Sequence, residues 1–232
     1  MKEFFRDKVY EKSSLDTVIE LLEKEGYQYK SENNDNKYDL LFVKDGKDKT
    51  VEIKQDFTSK RTGNIGVEVE TRGKASGIKT SKSDMYIYKY YEMVDNKVYT
   101  TVLSLDKRKL LTSIELIEEE MTEMYARRDM YLDMNMNVEF EDYTDRVVKK
   151  SNLKRNFNYI ELSNGIKIKF RFITDAGDLG SNSKNFLFPI KDFKKLFAIK
   201  VLEYRPSSKE ELNMIKENET ISRERNNKKY RR

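Results

Sequence analysis

Leu15, Val18, Ile19 and Leu22 recur at i, i+3, i+4 and i+7 behind Ser13 and Ser14, two N-cap residues, and ahead of Gly26, so the spacing predicts an amphipathic helix over 15–25. Its apolar face needs a sheet to pack on. Tyr38 to Val43 then reads as a strand, Lys44 to Lys49 around Gly46 as a turn, and Thr50 to Lys54 as a second strand, giving a hairpin after the helix. From Gly63 to Glu70, Ile65, Val67 and Val69 alternate with Gly66, Glu68 and Glu70, which predicts a third strand with one wet face. A small-residue loop from Gly73 to Ser83 leads into Met85-Tyr86-Ile87-Tyr88, and Val98 to Leu105 reads as a further strand.

Between Asp106 and about Met134 the pattern turns helical, with Leu110, Ile114, Ile117 and Met121 as an apolar stripe of the kind that usually enters a core. Residues 135–156 are polar, a linker or a helical insertion. Tyr159 to Phe172 carries an Asn164-Gly165 turn between alternating runs, a hairpin signal. Asp175 and Asp178, around Gly177 and Gly180, read as a turn in preference to a weak cation loop. With 2 Pro and 9 Gly, no long flexible linker is expected. The fold class is therefore α/β (α+β), with a mixed sheet.

The 232 residues suit one domain with an added segment. Hydrophobic residues make up 37% and charged residues 38%, a lean core under a dense ionic surface, while 15 Tyr and 12 Phe argue against disorder. A net charge of +5 permits a polyanionic partner without demonstrating one. Arg223, Arg225, Lys228, Lys229, Arg231 and Arg232 form a basic tail interrupted only by Glu224, either a nucleic-acid arm or a solvated terminus. No run is apolar enough to span a membrane, and a soluble, cytoplasmic protein of a reducing compartment is the expectation.

The chain has no Cys and no His, which removes thiolate nucleophiles, imidazole bases and most zinc sites. Carboxylates without imidazole or thiolate favour hard cations, Mg²⁺ or Mn²⁺. On the strand Val51 to Lys54, Glu52 and Lys54 project from one face while Val51 and Ile53 point into the core, and Asp39 opens the preceding strand. Two converging carboxylates repel unless a cation lies between them. Asp39, Glu52 and the Ile53 carbonyl are thus candidate metal ligands, with Lys54 to orient water or neutralise charge. The alternative is that Glu52 and Lys54 are an ion-paired face of an exposed edge strand.

Asp39, the turn at Gly46 and Glu52-Ile53-Lys54, behind the 15–25 helix, resemble the PD-(D/E)xK nuclease superfamily. Leu21 to Tyr27 is similar to the end of the first helix in archaeal Holliday-junction resolvases. Thr62 to Glu68, Ser76-Gly77-Ile78, Ser81 and Asp84 to Tyr86 are similar to small phage and mobile-element members. The resemblance covers roughly residues 10–105. It implies a restriction-endonuclease-like mixed central sheet flanked by helices, with Asp39, Glu52 and Lys54 catalytic. Tyr38 stands where Pro is usual, and the acid many members carry on the first helix falls at Leu15; Asp16 is the first substitute, before Glu20 and Glu23. Gln55 repeats a polar extension seen in several branches.

The expected organisation is a nuclease-like core over 1–105, a helical insertion or linker over 106–156, and a hairpin-containing region with the basic tail over 157–232. Lys60, Arg61, Arg72, Lys74 and Lys79, with Lys82, Asn64, Ser76, Thr80 and Ser81, are candidate phosphate contacts. Glu68 and Glu70 share a face of the third strand and one of them is a candidate further ligand, a surface acid being the plainer reading. The expected function is a Mg²⁺- or Mn²⁺-dependent endonuclease on DNA, from a phage or other mobile element, for which a homodimer would suit a duplex. The rivals are a non-catalytic nucleic-acid- or host-protein-binding protein on the same fold, and an RNA-directed nuclease using tyrosines for stacking.

Overall fold

The computed structural model describes residues 2–33, 38–119, 158–161, 167–174 and 183–229. Helix α1 (Lys2–Lys24) leads into β1 (Gln28–Glu32), β2 (Leu40–Lys44) and β3 (Lys47–Asp56). A short helix α2 (Ser59–Thr62), β4 (Asn64–Thr71), β5 (Lys74–Ala75) and a single 3₁₀ turn (Gly77–Lys79) connect β3 to β6 (Met85–Val94), which pairs with β7 (Lys97–Leu105). Helix α3 covers 107–119. Strands β8 (Asn158–Glu161), β9 (Lys167–Thr174) and β10 (Lys184–Pro189) precede helix α4 (Ile190–Phe197), β11 (Ala198–Pro206) and helix α5 (Lys209–Lys229).

Two sheets result. The larger has the order β1-β2-β3-β6-β7-β11, and the smaller the order β5-β4-β10-β9-β8. β3 and β6 run parallel in register Glu52↔Tyr86, and the other pairs of the larger sheet are antiparallel, so the central sheet is mixed. Parallel neighbours require a crossover. This one carries β4 and β5 onto one face of the larger sheet. There Tyr86, Tyr88, Tyr90, Leu103 and Leu105 pack against Ile65, Val67, Val69, Phe186 and Phe188, with Leu110, Ile114 and Ile117 of α3 closing the layer. Helix α1 covers the opposite face through Val18, Leu21 and Leu22 on Leu40, Phe42, Val51, Ile87 and Val102.

Several elements differ from the sequence expectation. Helix α1 begins well before residue 15, so Ser13 and Ser14 lie inside it rather than at its cap. Ser14 gives its hydroxyl to Gln55 Oε1 at 2.5 Å, and Thr17 gives its own to the Ser13 carbonyl. The stop at Gly26 is as expected: φ is +82°, with Gly26 N–H on the Glu23 carbonyl and Tyr27 N–H on the Leu22 carbonyl, a Schellman closure. β1, polar and largely exposed, lies at the sheet edge and had no apolar alternation to announce it. β3 is an interior strand between β2 and β6, which removes the edge-strand reading of Glu52 and Lys54.

Residues 157–232 supply strands to both sheets: β11 pairs with β7, and β10 lies between β4 and β9. β8 and β9 pair as the Asn164-Gly165 signal implied, although that turn lies outside the described residues, as do Met121, residues 135–156, Asp175 and Asp178. No helix among the described residues is long and apolar enough to cross a membrane.

Candidate active site

The β2–β3 hairpin closes through Asp45 and Gly46, both at positive φ (53° and 71°), a two-residue turn that fixes the register Lys44↔Lys47 through Leu40↔Val51. Continued by one residue, this register sets Asp39 opposite Glu52. Asp39 N–H bonds the Val51 carbonyl at 2.8 Å, and its Oδ2 accepts the Ile53 amide at 2.6 Å. A side chain therefore takes over where the ladder frays, and it ties the Asp39 carboxylate to the Glu52-Ile53-Lys54 backbone.

Side-chain alternation along β3 sends Val51 and Ile53 toward α1 and leaves Glu52, Lys54 and Asp56 on the face of the second sheet. Glu52 and Lys54 form an ion pair at 2.5 Å, with side chains 14% and 38% exposed, so the acid is enclosed and the cation reaches solvent. Beside them in the parallel ladder is Tyr86, buried at the rim of the inter-sheet core. Its phenol is pushed well above its ordinary value by burial, then by the negative charges of Glu52, Asp39 and Glu68, which all act on this one hydroxyl. Tyr86 stays neutral and able to donate.

Lys107, at the start of α3, also faces Glu52. Its ammonium donates to the Ser81 and Ser83 carbonyls at 2.9 and 2.6 Å. Burial lowers its pKa, while the charges of Glu52 and Asp84 raise it. Asp84 in turn accepts the Thr50 amide and hydroxyl, each at 2.9 Å, which pins the start of β3 to the start of β6; those contacts hold the Asp84 carboxyl below its usual range. Tyr86 and Lys107 were missed by sequence reasoning because both reach Glu52 through the parallel pairing and the helix after it, neither of which leaves a local pattern.

The other candidates scatter. Gln55 lies on the α1 face, bonded to Ser14 and to the Tyr91 hydroxyl (2.7 Å), away from Glu52 and Lys54. Asp16 is exposed on α1, and its charge acts on Tyr29 of β1. Lys60 pairs with Glu219 of α5 (3.1 Å) and Lys79 with Glu118 of α3 (2.6 Å), whereas Arg61, Arg72, Lys74 and Lys82 are exposed. Arg61 and Arg72 flank the eight residues of β4, roughly 25 Å of strand, so the cations do not form one patch. Glu68 accepts the Ser76 hydroxyl at 2.8 Å, and Glu70 pairs with Lys184 (2.8 Å).

Asp39 and Glu52 are thus carboxylates set opposite each other at the end of the β2–β3 ladder. Among the described residues no group of three or more acids is arranged to hold a metal ion. Comparison with known protein families, with curated proteins and with solved structures finds no match to this chain.

Proposed function

We propose that this chain is a metal-dependent phosphodiesterase of the PD-(D/E)xK type that hydrolyses DNA. The observation that carries the reading is the Asp39–Ile53 hydrogen bond, which brings a carboxylate from one strand of the hairpin alongside Glu52 and Lys54 on the other. The donor set fits Mg²⁺ or Mn²⁺: both donors are carboxylates, and Mg²⁺ commonly takes one or two of these and completes its shell with water and substrate phosphate. A bound divalent ion would supply Lewis acidity and lower the pKa of a coordinated water.

The remaining work falls to the chain. Asp39, held by the Ile53 amide, presents its carboxylate in a fixed orientation, and Asp39 and Glu52 are the residues that would hold the ion. Lys54, the more exposed partner of Glu52, would set its ammonium against the phosphate, where charge develops in the transition state. Tyr86 stays protonated beneath the pair. A DNA duplex as substrate, a homodimer to engage both strands and a bacterial host cytoplasm belong to the same reading.

A second reading, a nucleic-acid-binding protein that does not cut, is favoured by the Lys54–Glu52 pair, which neutralises the acid without a metal ion. Asp39→Asn, Glu52→Gln and Lys54→Met separate the two. Under the nuclease reading each lowers single-turnover cleavage of labelled duplex in Mn²⁺ by about 10²-fold or more, with melting temperature retained. Equal rates in wild type and all three variants would remove these residues from the chemistry.

A further inference from the structure

The β4–β5 connection breaks a local rule that comparable turns among the described residues obey. Among those residues three two-residue turns place both central residues at positive φ: Asp45-Gly46, Asp95-Asn96 and Arg72-Gly73, the last closed by the pair Thr71↔Lys74. Such turns want Asn, Asp or Gly at the first position, because a short polar side chain or none tolerates the left-handed region. Two of the three comply. The third spends that position on Arg72, at φ 52°, a backbone conformation that L side chains rarely adopt. Strain of this kind points to a use for the side chain that backbone preference does not supply.

The arm that carries Arg72 is firmly founded. Ser76 N–H bonds the Val69 carbonyl at 3.1 Å and its hydroxyl bonds Glu68 at 2.8 Å. Gly77 packs so tightly on β4 that a Cβ there would fall 2.3 Å from the Glu68 carbonyl oxygen. Beyond this base Arg72, Gly73, Lys74 and Ala75 are all exposed. The base of β4 is tied to the larger sheet, because the Gly66 carbonyl accepts the hydroxyl of Tyr88, the ladder neighbour of Lys54. Arg72 lies six residues past Gly66, about 20 Å of extended chain.

We infer that the β4–β5 arm is a DNA-backbone contact, with Arg72 and Lys74 receiving phosphates of the duplex whose scissile phosphate lies at the Asp39–Glu52 site. The register to the acid pair rests on the nuclease reading; the contact itself does not. A planar guanidinium beside an ammonium matches phosphate oxygens, and an arm held at fixed distance suits a stiff, regular backbone. Lys60 and Arg61, at the other end of β4, lie outside this contact.

The test is fluorescence anisotropy of the full-length chain on a labelled DNA duplex in EDTA, titrated between 50 and 200 mM salt. Arg72→Asn with Lys74→Gln is the informative variant, because Asn suits the turn better than Arg and the fold should hold or gain stability. The expected result is a log–log salt slope shallower by about 1.8, so that the advantage of wild type shrinks about twelvefold across that range. Lys97→Gln, at the β6–β7 turn, should leave the slope unchanged. An unchanged slope in the double variant, no duplex binding by wild type, or arm-dependent binding confined to RNA duplex would each overturn the inference. Metal-dependent cleavage, scored separately, tells the two failures apart: arm-dependent binding without cleavage upholds the contact while the nuclease reading falls, and cleavage with an arm-independent slope does the reverse.

Discussion

Lys89 and Glu211, with side chains 1% and 5% exposed, form an ion pair at 3.1 Å beneath α1 and α5. Burial pushes the Glu211 carboxyl up, but Arg205, the Ser208 amide, the Lys89 charge and the Thr100 hydroxyl outweigh it and hold the group at about 2. A folded-state value below the ordinary 4.5 means that this carboxylate contributes stability above pH 4.5, which is lost as pH falls toward 2. Acid unfolding followed by circular dichroism should therefore steepen across that window, and Glu211→Gln should flatten it. Lys89→Met leaves a buried carboxylate with fewer partners and should cost about 3–5 kcal/mol in urea denaturation. Gly77→Ala should cost about 2 kcal/mol or more, since it meets both the Glu68 backbone and a φ of 56°. At this scale the sequence was legible where neighbours are local. Asp39, Glu52 and Lys54 meet because one tight hairpin joins them. Gln55 follows Lys54 directly and therefore faces the other side of the strand, and Ser14, inside α1 rather than at its cap, gives its hydroxyl to Gln55.

The strands β2, β3, β4, β6 and β7 were foreseeable from their apolar runs; β3, β6 and β7 extend the expected bounds, whereas β2 begins at Leu40 rather than Tyr38 and β4 is shifted by one residue. β1 was not, because an exposed edge strand of Gln, Tyr, Lys, Ser and Glu has no apolar face to show. β11 was hidden for a related reason: register shifts between Ala198 and Lys200 and between Val201 and Glu203 break its alternation. Those bulges also twist an edge strand that exposes Ile199 and Val201, a device that discourages pairing with another chain. Position in the sheet sets how readily each element opens. Hydrogen exchange should find the amides of β3 and β6 the slowest to exchange, with β1 faster by orders of magnitude. Comparable protection of β1 would show that its edge is covered.

As a whole, the molecule does not divide at residue 105. β11 completes the larger sheet, β10 joins β4 to β9, and Glu211 of α5 neutralises Lys89 of β6. A chain truncated after residue 197 would bare the β7 edge and strand a buried ammonium. It should lose cooperative thermal unfolding rather than survive as a smaller domain. Such long-range closure is invisible to local periodicity, which is why the C-terminal third read as an addition. Its helix α5 and strand β11 came without signals strong enough to assign them to the core. The acid pair depends on that closure only indirectly, through the sheet that fixes β3 between β2 and β6. The most direct test of the account is incubation of the wild-type chain with supercoiled plasmid, linear duplex, single-stranded DNA and RNA in Mn²⁺, Mg²⁺ or EDTA, with Glu52→Gln alongside. The expected result is nicking or linearisation of DNA that requires the metal and disappears in the variant. Wild-type inactivity on every substrate with either metal, or cutting that persists in EDTA, would contradict it.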